Sequence, residues 1–108
     1  MNRSLRTHYH LRNKIFKDWY ILVDQAVKHH RPDKPLEKCT IKIERLFFRF
    51  LDFDGCVASM KPIVDGLIHS DIIKDDSYKI TGPWEVFQSF RSKKDGPLIK
   101  IEVQDGTN

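Results

Sequence analysis

The chain of 108 residues has few cysteines, no long apolar run and no hydrophobic stretch among its first twelve residues. Cys39 and Cys56 lack both Cys-x-x-Cys and Cys/His ligand spacing, which favours two reduced structural thiols over a disulfide or a zinc site. No apolar stretch reaches membrane-spanning length, and residues 1–12 are polar and basic. These absences predict an intracellular protein with no membrane segment.

The remaining composition is that of a folded domain. Hydrophobic residues make up 40% of the chain and charged residues 31%, which argues against disorder. A chain of this length supports one modest core, so we expect a single domain over residues 1–108, with flexible ends at 1–8 and 105–108.

Charge is unevenly distributed along the chain. Residues 1–49 contain twelve Lys or Arg and five Asp or Glu, a balance of +7. Residues 50–108 contain seven and ten, a balance of −3, and the two add up to the net +4. A basic front half favours binding to a polyanion, although basic side chains that only solvate a helix fit the charge equally well.

Periodicity predicts an α+β protein. Apolar residues at helical spacing predict helices over 11–30 and from 55 or 59 to 69. β-branched and aromatic residues predict strands over 40–51, 78–90 and 98–103. In the first strand the apolar residues move from odd to even positions near residues 44–45, which indicates a bulge or burial on both faces. The second is expected to be interrupted at residues 82–83.

An acidic cluster follows the first of these strands. In extended backbone Asp52 and Asp54 would point to the same face, where two carboxylates repel unless a cation lies between them. Lys61 and Asp65 are four residues apart and therefore share a helix face. A loop could return Asp75 or Asp76 to the first pair. Such oxygen-rich sites suit Mg²⁺ or Mn²⁺ rather than zinc.

Residues 51–76 resemble the core of the RusA-like endodeoxyribonucleases, the Holliday-junction resolvases of phages and prophages. That family's pattern is Asp-x-Asp-Asn, a helix carrying Lys and Asp-Ala-Leu, and a loop ending in Asp-Asp. Asp52 and Asp54 match the first pair and Lys61 matches the lysine. The segment from Asp65 to Leu67 matches Asp-Ala-Leu, and Asp75 with Asp76 matches the closing pair.

The resemblance implies a small mixed sheet packed with two main helices, and a Mg²⁺-dependent homodimer that nicks four-way DNA junctions in recombination and repair. It would act in the cytoplasm of a bacterial host or phage-infected cell. Asp52, Asp54 and Asp76 would hold the metal (Mg²⁺, with Mn²⁺ as an alternative), Lys61 would stabilise charge on phosphate, and Asp65 and Asp75 would support them. Basic residues would contact DNA phosphates: Arg3, Arg6, Arg12, Lys14 and Lys17. Phe47, Phe48, Phe50 and Phe53 are expected mostly in the core.

Two departures from the pattern keep other hypotheses open. Gly55 stands where the family has Asn. We interpret that Asn as a helix cap, for which Gly is a weaker substitute. Lys61 lies seven residues after Asp54 where four are expected, and Pro62 follows it. A displaced lysine leaves room for a catalytically silent DNA-binding or structural phage protein with the same fold. A nuclease acting on flaps or other branched DNA is a third hypothesis.

Overall fold

The computed structural model describes residues 6–12 and 19–106. They form four strands, four α-helices and one 3-10 turn, in the order β1 (Arg6–Arg12), α1 (Trp19–Val27), β2 (Cys39–Phe47), α2 (Phe53–Ser59), α3 (Lys61–His69), α4 (Tyr78–Thr81), β3 (Glu85–Phe90), the turn (Lys93–Asp95) and β4 (Leu98–Asp105). Among these residues the two cysteines are free thiols in buried positions, as expected from their spacing.

The strands form one mixed sheet in the order β1-β4-β2-β3. β4 pairs antiparallel with both β1 and β2, whereas β2 pairs parallel with β3. The parallel pair places the carboxyl ends of β2 and β3 at the same end of the sheet, and the segment that follows β2 starts there. The α+β class predicted from the sequence is therefore confirmed, and the sheet is mixed.

The core lies between one face of the sheet and the helices α1 and α3. Ile41 and Ile43 alternate with exposed residues along β2, and they join Ile101 of β4 in the core. Val23 of α1 and Leu67 of α3 are fully buried in the same core. Each buried aliphatic side chain contributes about 1.5–3 kcal/mol relative to exposure, so this layer holds α3 against the sheet.

The predicted helix over 11–30 is wrong at its start, because Leu11 belongs to strand β1. Tyr9 and Leu11 are almost fully buried with one residue between them, the period-two pattern of a strand whose one face meets the core. The described helix is Trp19–Val27. Residues 6–8 pair with β4, and Asp105 pairs with Cys39 of β2, while the flexibility of the ends stays a prediction.

The remaining boundaries differ for local reasons. β2 ends at Phe47 instead of residue 51, and its pairing with β4 is continuous, so no bulge lies there. Residues 44–47 are half-buried on both faces of the strand. The single predicted helix up to residue 69 is two helices with a break at Met60. Pro62 lies in the first turn of α3, where its missing N–H needs no partner. Residues 78–81 are helical, and β3 starts only after the expected interruption.

Candidate functional site

Lys61 lies at the centre of a small charged cluster. It is the first residue of α3, and its Nζ donates to Oδ1 of Asp65 one turn later at 2.7 Å. The same Nζ donates to Oδ2 of Asp76, fifteen residues away in sequence. The helix therefore brings Lys61 to Asp65, as the spacing predicts, and a loop adds Asp76. We refer to Lys61, Asp65 and Asp76 as the lysine cluster.

A firmly anchored loop holds Asp76 in this place. Helix α3 ends at Ser70, and Asp71 adopts a φ of 61°, in the left-handed region where a chain commonly leaves a helix. Ile72 and Ile73 are then buried. The Leu36 N–H donates to the Ile72 carbonyl at 3.0 Å, and the Lys74 N–H donates to the Leu36 carbonyl at 2.9 Å. The loop thus enters the lysine cluster from a fixed direction.

The charges of the lysine cluster stabilise one another. The pKa of Lys61 is raised above its usual range, chiefly by its hydrogen bond to Asp65 and then by that to Asp76. The Lys61 ammonium in turn lowers the pKa of Asp76. Asp75 supports the arrangement through its Oδ1, which accepts the Asp76 backbone N–H at 2.7 Å. At neutral pH the cluster therefore holds one ammonium between two carboxylates.

Asp52 and Asp54 are positioned differently from the sequence-based prediction. β2 has ended before them, so they do not share one face of an extended strand. Asp52 is the N-cap residue of α2, and its backbone carbonyl accepts the Cys56 N–H at 2.9 Å. Asp54 lies in the first turn, and both side chains are exposed. A helix start, where backbone N–H groups are unpaired, favours carboxylates for reasons unrelated to metal.

Gly55 is not the N-cap residue of α2, although its place in the family pattern suggests a capping role. It lies in the first turn of α2, three residues after the N-cap Asp52. A Cβ at this position would come within 2.7 Å of Oδ1 of Asp52, so the carboxylate lies directly over the glycine. The absent side chain at residue 55 leaves that space to Asp52. Helix α2 covers Phe53–Ser59, and a new helix begins at Lys61.

The predicted metal ligands do not form a metal site as arranged. Asp52, Asp54 and Asp76 offer the oxygen donors that Mg²⁺ prefers. Within residues 6–12 and 19–106, however, no three His, Cys, Asp or Glu side chains lie close enough together to hold an ion. Asp76 is engaged by Lys61 instead. No catalytic step through a metal follows from this geometry.

The structure describes only some of the residues that are predicted to contact phosphate. Arg3, Lys14 and Lys17 lie outside the described residues. Arg6 and Arg12 are the first and last residues of β1, where their backbone pairs with β4. Their role in DNA contact stays a prediction from charge.

Aromatic and basic side chains surround the segment that follows β2, which comprises residues 48–52. Phe50 and Phe53 are 58% and 69% exposed, so the expectation that they fill the core is wrong for these two. Phe90, at the end of β3, is also exposed. The guanidinium of Arg49 and the ammonium of Lys93 both lie over the Phe48 ring, within 6 Å of its centroid. This combination of aromatic and cationic groups is suited to nucleic-acid bases and phosphates.

Two polar residues of this region had no signal in the sequence. Both polar atoms of the Gln88 side chain bond to the backbone of Leu51, and Arg45 donates to the carbonyl of Arg49 at 2.6 Å. A lone Gln or Arg in a strand predicts only an outward-facing polar position. Strand β1 did carry a signal, since Thr7, Tyr9 and Leu11 alternate with polar residues.

Comparison with models of known protein families, with curated proteins and with solved structures finds no match to this chain. Across the part of the chain that the structure describes, no helix has both the length and the apolar character needed to cross a membrane.

Proposed function

We propose that this chain is a Mg²⁺-dependent, RusA-like endodeoxyribonuclease that nicks four-way DNA junctions during recombination and repair. The observation that carries the proposal is the meeting of Lys61, Asp65 and Asp76 in the lysine cluster. These residues match three separate parts of the family pattern, and the last lies fifteen residues from the first. A pair one helix turn apart is also the geometry of an ordinary surface ion pair, whereas Asp76 reaches Lys61 from a separate loop.

Lys61 has a defined part in this function. Its side chain is 52% exposed, so its ammonium can contact the phosphate backbone as well as its two carboxylates. A fixed positive charge beside a phosphodiester stabilises the negative charge that develops during cleavage. Dependence on Mg²⁺, with Asp52, Asp54 and Asp76 as ligands, rests on the resemblance and on their oxygen chemistry.

Branched DNA is the proposed partner. The basic front half supplies charge for phosphates, and exposed Phe50, Phe53 and Phe90 offer faces for bases that are unstacked at a branch point. A homodimer fits because a four-way junction must be nicked symmetrically in two strands, which a two-fold axis provides. The proposed location is the cytoplasm of a bacterial host or phage-infected cell.

A catalytically silent DNA-binding or structural phage protein is the second candidate. The observation that favours it is the lack of a gathered three-carboxylate group among residues 6–12 and 19–106, together with the engagement of Asp76 by Lys61. Such a protein would bind branched DNA and leave it intact.

One assay separates the candidates. Purified protein is incubated with Mg²⁺ and a labelled four-way junction, beside a labelled flap, and the same reactions are run with Asp54→Asn. Asp33→Asn is the matched control, since Asp33 is an exposed aspartate in the loop before β2. Paired symmetric nicks that Asp54→Asn abolishes and Asp33→Asn retains are expected. Junction binding without metal-dependent cleavage would establish the silent protein, and cleavage confined to the flap would establish a flap nuclease.

A further inference from the structure

Strand β3 forms an edge of the sheet. Among the described residues it pairs only with β2, and the register runs without a bulge from Glu85 opposite Lys42 to Phe90 opposite Phe47. The strand contains neither Lys nor Pro, the residues that commonly keep an edge strand from pairing with another chain. An edge of this kind is able to accept a further strand.

A single hydrogen bond shows which backbone groups of β3 face this free edge. The Arg91 N–H donates to the Phe47 carbonyl at 3.1 Å, so the backbone of Arg91 points towards β2. Alternate residues of a strand bond to the same neighbour, so Phe87 and Ser89 also point towards β2. The residues left facing the free edge, where no described residue bonds to their N–H or C=O groups, are Val86, Gln88 and Phe90.

An antiparallel pair of two β3 strands centred on Gln88 uses all of these groups. Gln88 would lie opposite Gln88 of the partner subunit, and Val86 would lie opposite Phe90 of the partner subunit. The reciprocal pair lies on the other side of the two-fold axis. Pairs that exchange both hydrogen bonds recur at every second position of an antiparallel ladder, so each of these pairs would exchange two.

The charges at the ends of β3 match in this register. Glu85 is exposed, and it would lie opposite Arg91 of the partner subunit at both ends of the ladder. Arg91 is held beside the end of β3 because its Nε donates to the Gly96 carbonyl at 2.8 Å. Opposite charges directly across an antiparallel pair stabilise it, and like charges destabilise it. Symmetric pairing of the other edge strand, β1, would instead place Arg6 opposite Arg12.

The same register gives the exposed Phe90 an apolar partner. Its side chain is 70% exposed, although it stands next to a strand whose Val86 packs against the core. Both side chains lie on the inner face of the sheet, because residues two apart in a strand share a face. Phe90 would therefore pack against Val86 of the partner subunit, and pairs of an aromatic with a β-branched residue stabilise antiparallel strands.

We propose that the β3 strands of two copies of this chain pair antiparallel about a two-fold axis at Gln88, which joins the two sheets into one. The interface is self-complementary, as a two-fold axis requires. The inference rests on the proposed function only in expecting a two-fold homodimer, since the pairing itself needs neither DNA nor metal.

The register is tested by disulfide cross-linking of the full chain. Gln88→Cys places each added thiol opposite its own copy, with Cα atoms about 5.5 Å apart, which a disulfide spans. Phe90→Cys is the matched control: position 90 is the more exposed of the two, yet its two copies would lie about 13 Å apart. The native cysteines are buried and stay in both proteins. We expect mild oxidation to cross-link Gln88→Cys at least about tenfold faster than Phe90→Cys.

The use of the backbone edge is tested by sedimentation velocity over a range of concentrations. Phe90→Pro removes an N–H that faces the free edge and keeps the bonds to β2. Phe90→Ala removes the same ring and keeps that N–H. We expect the dissociation constant of the dimer to rise at least about tenfold in Phe90→Pro, because the donor is lost from both copies, and to rise less in Phe90→Ala. Circular dichroism checks that each variant folds.

Each outcome supports or overturns the interface. Cross-linking of Phe90→Cys as fast as that of Gln88→Cys would overturn the register, and an unchanged dissociation constant for Phe90→Pro would overturn the use of this edge. A monomeric wild type overturns the inference, and the proposed nuclease stands if that monomer nicks the junction. A dimer that passes both tests and leaves branched DNA intact overturns the proposed nuclease and keeps the interface. Should Phe90→Pro fail to fold, the two cysteine variants decide.

Discussion

At the scale of single residues, the contact between Lys61 and Asp76 makes stability depend on pH in one direction. The pKa of Asp76 is lower in the folded protein because Lys61 donates to it. Such a carboxylate contributes stability above its unfolded pKa of about 3.9, and that stability is lost as the pH falls through the folded pKa. The Lys61 side chain is 52% exposed and that of Asp76 26%, so the pair stabilises by no more than about 1 kcal/mol.

We therefore expect Asp76→Asn to lower the free energy of unfolding by about 0.5–1 kcal/mol at pH 7, and we expect this difference to be smaller at pH 2. Urea denaturation at both pH values, with Asp33→Asn as the control, measures this difference. A difference that stays the same from pH 7 to pH 2 would show that the ion pair is not its source.

The residues of the lysine cluster could be predicted in part from the sequence. The four-residue spacing of Lys61 and Asp65 is enough to place them on one helix face, since helix geometry is local. The return of Asp76 depends on the pairing of Leu36 with Ile72 and Lys74, which no local pattern contains. Gln88 and Leu51 were missed for the same reason. The predicted pairing of Asp52 and Asp54 failed because the strand ends at Phe47.

At the scale of elements, Gly66 allows α1 and α3 to approach closely. A Cβ on Gly66 would lie 2.9 Å from Cγ2 and 3.1 Å from Cβ of Val23, which is fully buried. Packing and helix propensity act in opposite directions here, because Ala favours a helix over Gly by about 1 kcal/mol while overpacking costs about 1–3 kcal/mol.

We expect Gly66→Ala to lower the free energy of unfolding by about 1 kcal/mol, and to lower it less when Val23→Ala is also present. At Gly55 an added Cβ meets only the carboxylate of the exposed Asp52, which can turn away, so Gly55→Ala should be neutral or slightly stabilising. Chemical denaturation of the four variants tests both statements. Equal effects of alanine at positions 55 and 66 would contradict the close approach to Val23.

Element boundaries follow local chemistry where that chemistry is unambiguous. Pro62 fits only in a first helical turn, and it accordingly marks the start of α3 and the break from α2. The helical periodicity predicted from residue 11 does not hold in β1, where the alternation of Thr7, Tyr9 and Leu11 indicates a strand. A short apolar pattern fits both the helical period and the strand period, and the pairing of β1 with β4 decides in favour of the strand.

At the scale of the whole molecule, the strand order could not be predicted from the sequence. β4 is last in the chain yet lies between β1 and β2, so the sheet is assembled from pairings between distant segments. The uneven charge, by contrast, is read directly from the sequence, and it predicts how DNA binding responds to salt.

We expect the logarithm of junction affinity to fall linearly with the logarithm of salt concentration, because each phosphate contact releases counterions. Arg12→Ala and Lys14→Ala should each reduce the magnitude of that slope by about one. Lys74→Ala, which removes a lysine of the acidic half that pairs with Glu37, should leave the slope unchanged. Fluorescence anisotropy with a labelled junction gives the slopes, and an equal reduction from Lys74→Ala would argue against a basic front surface.

The most direct test of the proposed nuclease is the single-turnover cleavage rate of a labelled four-way junction by Lys61→Met in Mg²⁺, beside Lys74→Met. Loss of a charge that stabilises developing negative charge costs about 10²–10³ in rate. We predict cleavage at least about 100-fold slower for Lys61→Met, with junction affinity within about threefold of wild type, and a wild-type rate for Lys74→Met. A Lys61→Met protein that nicks the junction at the wild-type rate would contradict the assignment of the lysine cluster as the reacting site.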